Sequence, residues 1–135
     1  MSKQYIILIM LLLSGNMLYV SGQKQFYTCH EITIDEFDAW YDAFIPIIVL
    51  DIRTKADYEA GHIPGAIWVF GDSAMISISD TLDADQKIII YDTSGNESID
   101  ACLLLASKGK KSVYEVKGGF ETWQKFGHLV EKSGS

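Results

Sequence analysis

Lys87-Ile-Ile-Ile-Tyr91 runs without a break into Asp92-Thr-Ser-Gly-Asn-Glu97, and the segment from Ser98 to Lys108 follows at once. Consecutive isoleucines with no polar alternation describe a strand buried on both faces, as in the middle of a parallel sheet. The segment after the loop places Ile99, Cys102, Leu103 and Ala106 at helical spacing, and Gly109 stops it. A buried strand, a short polar loop and an amphipathic helix form one unit of an alternating β/α chain.

The same unit recurs on both sides. Ile47-Ile-Val-Leu50 is a second buried run, ending at Asp51, and a short acidic helix over Ala56–Ala60 is closed by Gly61. Ala66–Phe70 reads as a further strand and Ser73–Leu82 as a weak helix. Ser112–Val116 is the last strand, turned by Gly118-Gly119 into a helix over Phe120–Phe126. Upstream, Thr33-Ile-Asp-Glu36 is a capping box opening a helix with Phe37, Trp40 and Tyr41 on one face, ended by Pro46. The tail Glu131–Ser135 reads as frayed. Strands separated by helices imply parallel pairing, right-handed crossovers and helices on both faces, an α/β class. In such sheets a site forms beyond the carboxyl ends of the strands, which points to the loops after Leu50 and Tyr91.

Composition narrows the function. The 135 residues are 48% hydrophobic and 21% charged with two prolines, the profile of a single compact domain. A net charge of −7 lacks the positive footprint of a nucleic-acid binder and disfavours anionic membrane surfaces. Three scattered histidines offer no metal spacing, and Asp80, Asp83 and Asp85 lack the glycine and closing glutamate of a calcium loop. No cofactor or metal is expected.

Residues 1–22 read as a leader. Lys3 precedes the apolar run Tyr5–Leu13, which is shorter than the ~20 residues that span a bilayer, and small residues reach Ser21-Gly22. A signal peptide cut at Gly22/Gln23 is the first reading; an uncleaved anchor over residues 5–20 is the alternative and the only membrane contact expected. Either places residues 23–135 outside the cytoplasm, periplasmic or extracellular. There Cys29 and Cys102 are free to pair. Cys102 on its apolar stripe reads first as a buried thiol behaving as a small hydrophobe, with a Cys29–Cys102 disulfide as the other option.

Leu50-Asp-Ile-Arg53, Tyr58, Gly61-His-Ile-Pro-Gly-Ala66, Tyr91–Ser98 and Lys117-Gly-Gly-Phe120 with Trp123 together resemble the rhodanese domain family, across residues 27–130. The resemblance implies a three-layer fold with a five-stranded parallel sheet flanked by helices. It implies structural roles for Asp51, Arg53, Gly61, His62, Pro64, Gly65, Gly118, Gly119 and Trp123. It also implies a loop, here Asp92, Thr93, Ser94, Gly95, Asn96, Glu97 and Ser98, whose leading cysteine in active members carries a persulfide. With Tyr91, Gly95 and Ser98 matching that pattern, Asp92 takes the nucleophile position and Glu97 that of an arginine.

A persulfide needs a polarisable, stabilised thiolate, which a hard carboxylate oxygen does not replace. No catalytic residue is therefore assigned, and the expectation is an exported, non-catalytic module binding an unknown protein or small ligand. Asp92 is expected either to stand in for the bound anion, turning its carboxylate onto the loop amides, or to be a remnant of drift. A sulfurtransferase-type or thiol-redox enzyme working through Cys29 or Cys102 is the alternative. A hard-cation site at Asp92 and Glu97 is a third reading. Arg53, the only arginine, is expected in a structural ion pair, and His62 among loop hydrogen bonds.

Overall fold

A computed structural model describes residues 27–134; the leader reading of residues 1–22 lies outside them. The strands are β1 (His30–Ile32), β2 (Ile47–Asp51), β3 (Ile67–Trp68), β4 (Lys87–Tyr91) and β5 (Ser112–Val116). The helices are α1 (Ile34–Asp42), α2 (Lys55–Ala60), α3 (Asp72–Ser79), α4 (Ser98–Ser107) and α5 (Gly119–Lys125). All strand pairs are parallel, and the sheet order is β1-β5-β4-β2-β3.

The apolar runs of β2 and β4 sit where they should, adjacent and at the middle of the sheet. Side chains alternate across it: Ile89 and Tyr91 face a core built with Phe37 of α1 and Phe120 and Trp123 of α5. Ile88 and Ile90 face the other, with Met75 of α3 and Cys102 and Leu105 of α4. Helices on both faces complete an α/β sandwich of three layers. Among the described residues, no helix is long and apolar enough to cross a membrane.

Local signals account for the ends of the elements. Thr33 caps α1, accepting from the Glu36 amide at 3.3 Å while Glu36 Oε2 accepts from the Thr33 amide at 2.9 Å. The helix stops at Asp42, ahead of Pro46, where the chain bends through Phe44 at φ 53°.

β1 carries no sequence signal, being three residues long with only Ile32 buried. Three expectations need correction. β3 is two residues rather than Ala66–Phe70, because it is an edge strand whose residues are both exposed. The buried face of α4 is Ser98, Cys102, Leu105 and Ala106, leaving Ile99 43% exposed. The reason is polar: the Ser98 hydroxyl donates to buried Glu115 Oε2 at 2.9 Å and turns the helix toward β5. Glu131 is not frayed, since its backbone pairs with His62 in both directions at 2.9 Å.

Candidate functional site

Register sets Asp51, Trp68 and Tyr91 side by side at the carboxyl ends of β2, β3 and β4. Asp51 lies fully buried there, and Arg53 folds back onto it with Nη2–Oδ2 2.6 Å and Nε–Oδ1 3.1 Å. The second hydrogen bond of Nη2 runs to Gly61 O at 2.7 Å, while the guanidinium lies 3.8 Å from the Phe120 ring centroid. The Tyr91 hydroxyl donates to Asp51 Oδ2 at 2.5 Å and accepts from the Ile63 amide at 3.1 Å. Burial, reinforced by the Asp51 charge, pushes the Tyr91 phenol far up, so it stays a donor. Burial works against the Arg53 charge, but Asp51 outweighs it and the guanidinium stays ionised. Arg53 thus links the end of β2 to the Gly61 carbonyl and packs over the Phe120 ring, a use that suits its planar fork.

The neighbouring loops complete the frame. His62 stacks on Tyr58 at 3.8 Å and its Nδ1 donates to Tyr58 O at 2.7 Å, while Nε2 lies 3.6 Å from Glu131. Pro64 O accepts from the Tyr41 hydroxyl at 3.2 Å, and the Gly65 amide donates to Glu131 Oε2 at 3.0 Å. Trp123 Nε1 donates to Leu129 O at 2.8 Å. These are framework contacts.

The loop after β4 is wrapped around its own first residue. Asp92 is 2% exposed; its Oδ1 accepts from the Gly95 amide, and its Oδ2 from the amides of Glu97 and, at 3.2 Å, Ser98. Three backbone donors at the start of α4 converge on one carboxylate, an arrangement that offers any anion both hydrogen bonds and the helix dipole. Two glycines make the wrap possible. Gly95 has φ 85°, and a Cβ there would lie 2.8 Å from the Gly118 amide nitrogen; Gly119 has φ 58°, and its Cβ would lie 2.6 Å from Asp92 O. The start of α5 therefore docks on the loop, with the Phe120 amide donating to Asp92 O at 2.9 Å and Glu121 to Thr93 O at 3.0 Å. Thr93, Ser94, Asn96 and Glu97 are exposed, and Asn96 Nδ2 donates to Ser94 Oγ at 3.0 Å.

The model of the rhodanese-like domain matches residues 33–126. The chain belongs to the rhodanese-like domain family. The Alr3790 protein of Anabaena sp. has a similar structure at 25% identity and TM-score 0.69, with 75% of this chain and 82% of that one covered. The BH2092 protein of Bacillus halodurans is similar at 29% identity and TM-score 0.69, covering 77% of each chain. A rhodanese-related protein of Thermoplasma volcanium is similar at 25% identity and TM-score 0.63, covering 76% and 97%.

In this rhodanese-like domain the loop holds no sulfur. Cys102, fully buried on α4, is bonded to Cys29 ahead of β1, with a Cα–Cα separation of 5.6 Å. That corrects the reading of Cys102 as a free buried thiol, and no free cysteine remains among the described residues. With that bond formed, neither Cys29 nor Cys102 is a free thiol nucleophile. The hard-cation reading fares no better, because Asp92 faces amide donors rather than further oxygen ligands, and no metal-ligating group of three acids, histidines or cysteines occurs among the described residues.

One member of the site is missed by the sequence reading. Glu115 occupies an inward position of β5 behind the loop, accepting from Ser98. Its polar letter within Ser112–Val116 was the available clue. Burial, with Glu31 and Asp92 adding negative charge, raises its carboxyl above the usual range despite the Ser98 bond. A carboxyl whose folded pKa is raised costs stability while it is ionised, and the cost disappears as pH falls through the folded value toward the unfolded one. Glu115→Gln keeps an acceptor for Ser98 and removes the charge. It is expected to raise Tm at neutral pH and to lose that advantage in acid, below the ordinary carboxyl range; thermal melts across pH check this.

Proposed function

We propose that this chain is an exported rhodanese-like domain that transfers no sulfur and serves as a binding or scaffold module for a protein or a small ligand. The observation that carries the reading is the Asp92 carboxylate seated among the amides of Gly95, Glu97 and Ser98. By resemblance, those amides hold the anionic sulfur species in active members. Here the cradle is filled by a covalently attached anion of the chain itself, and oxygen at that position forms no persulfide. Glu97 at the arginine position adds repulsion toward an anionic donor such as thiosulfate. Export is supported by the leader pattern before Gln23 and by the Cys29–Cys102 bond, which belongs to oxidising compartments.

Asp92→Ala tests the filled cradle. Removing the carboxylate leaves three amides without their acceptor and is expected to cost about 2–4 kcal/mol. Sulfate or thiosulfate should then bind the emptied cradle and raise the variant's Tm beyond chloride at equal ionic strength, while the native protein shows no such response. The native protein should also release no thiocyanate from thiosulfate and cyanide. Turnover by the native protein, or an Asp92→Ala variant as stable as the parent and indifferent to sulfate, would overturn the reading.

A further inference from the structure

Because every strand is parallel, every helix begins at the carboxyl end of the sheet, and each has an acid in its first turn. Asp35, Asp57, Asp72, Asp100 and Glu121 occupy those turns in α1 to α5. Each complements its own helix dipole, but the topology gathers all of them, with exposed Glu97, on one side of the molecule. The cations at this end are spoken for: Arg53 lies buried on Asp51, Lys55 sits 3.7 Å from Glu59, and Lys117 3.2 Å from Glu31. Lys87, Lys108, Lys110 and Lys111 lie at the opposite end, where β4 and β5 begin, together with Asp42, Asp80, Asp83 and Asp85, and Lys111 pairs with Asp85 at 3.0 Å. Charges of both signs mix there, whereas the end where the helices begin carries an excess of acids.

An apolar platform opens on the acidic end. β3 is an edge strand with Ile67 and Trp68 both exposed, and Phe70, just beyond it, is 57% exposed. The Trp68 and Phe70 rings stack at 6.3 Å with an interplanar angle of 10°. Trp68 Nε1 donates to Arg53 O at 2.9 Å, so the indole is fixed to the buried Arg53 knot instead of swinging in solvent. Two strand spacings, ~10 Å, separate this platform from the Asp92 loop with Glu97 on its surface.

We propose that this face docks a lysine- or arginine-rich segment of a partner protein, with the stacked Trp68–Phe70 pair taking a cationic side chain and the surrounding acids supplying long-range attraction. Indole faces hold guanidinium groups by cation–π contact and stacking, which an apolar partner would not exploit. The one-signed field steers cationic partners and repels anionic ones. This rests on the binding-module reading above and names the chemistry of the partner.

Oligo-arginine and oligo-glutamate peptides, titrated calorimetrically into the whole protein at low and near-physiological salt, test it. Oligo-arginine should bind and oligo-glutamate should not, with added salt weakening binding about tenfold or more. Phe70→Ala, which removes no hydrogen bond, should weaken oligo-arginine about fivefold, and Trp68→Ala with Phe70→Ala at least about tenfold. Asp72→Lys with Glu97→Lys keeps the platform and should also lose about tenfold. Circular dichroism checks that each variant is folded. Absence of oligo-arginine binding, or binding that the folded aromatic variants leave unchanged, overturns the proposal. A native protein that binds no oligo-arginine and transfers no sulfur loses the docking face alone, whereas sulfur transfer removes the non-catalytic reading.

Discussion

Opening the Cys29–Cys102 bond should cost this domain about 4 kcal/mol and roughly 20 °C of Tm. The bond closes a loop spanning a sequence separation of 73, which ties the segment ahead of edge strand β1 to the buried face of α4. Chain entropy in the unfolded state is what the cross-link removes, and a loop of that length makes the loss large. β1 has few contacts of its own with which to compensate, being three residues paired only to β5. Cys29→Ser with Cys102→Ala, chosen so that no hydroxyl enters the core, should melt at about the temperature of the reduced native protein. Thiol titration should find no reactive sulfur until the protein is both unfolded and reduced. A melt unchanged by reductant, with both thiols then titrating, would remove the bond from the account of stability.

The residues that were legible in advance share one property, that their signal is local. Isoleucine runs at 47–48 and 88–90 declare buried strands because a doubly covered strand admits no polar alternation. The Thr33–Glu36 box marks a helix start because both of its hydrogen bonds lie within four residues. The Asp92 loop was legible because Gly95 and Ser98 kept their places around a changed side chain.

What stayed hidden depends on contacts through space. The disulfide joins residues far apart in the chain, and nothing in their spacing measures a Cα distance. Glu115 is an acid inside a strand, explained only when α4 delivers the Ser98 hydroxyl to it. The helical stripe through Ile99 failed for that same reason, since a polar bond rotated the helix against the apolar count. Glu131 looked like part of a tail because its pairing partner, His62, lies far away along the chain.

Rebuilding the family loop should have the largest functional effect. Asp92→Cys places a sulfur at the focus of the Gly95, Glu97 and Ser98 amides and the start of α4, surroundings that lower a thiol pKa. The single variant should therefore be alkylated by iodoacetamide well below the ordinary thiol range, yet turn over thiosulfate poorly, because Glu97 still repels the donor. Adding Glu97→Arg swings the charge at the mouth by two units, from −1 to +1. A unit pair at 4 Å is worth about 1 kcal/mol in water and about 4 kcal/mol at an effective dielectric near 20. The double variant should thus exceed Asp92→Cys by at least about tenfold in kcat/KM, against no turnover by the parent. The Asp51–Arg53–Tyr91 knot is untouched by either change, so the loop keeps its supports. A folded double variant with a reactive thiol and no thiocyanate production would show that charge and nucleophile are not the whole difference. The remaining difference would then lie in the shape of the loop's surroundings.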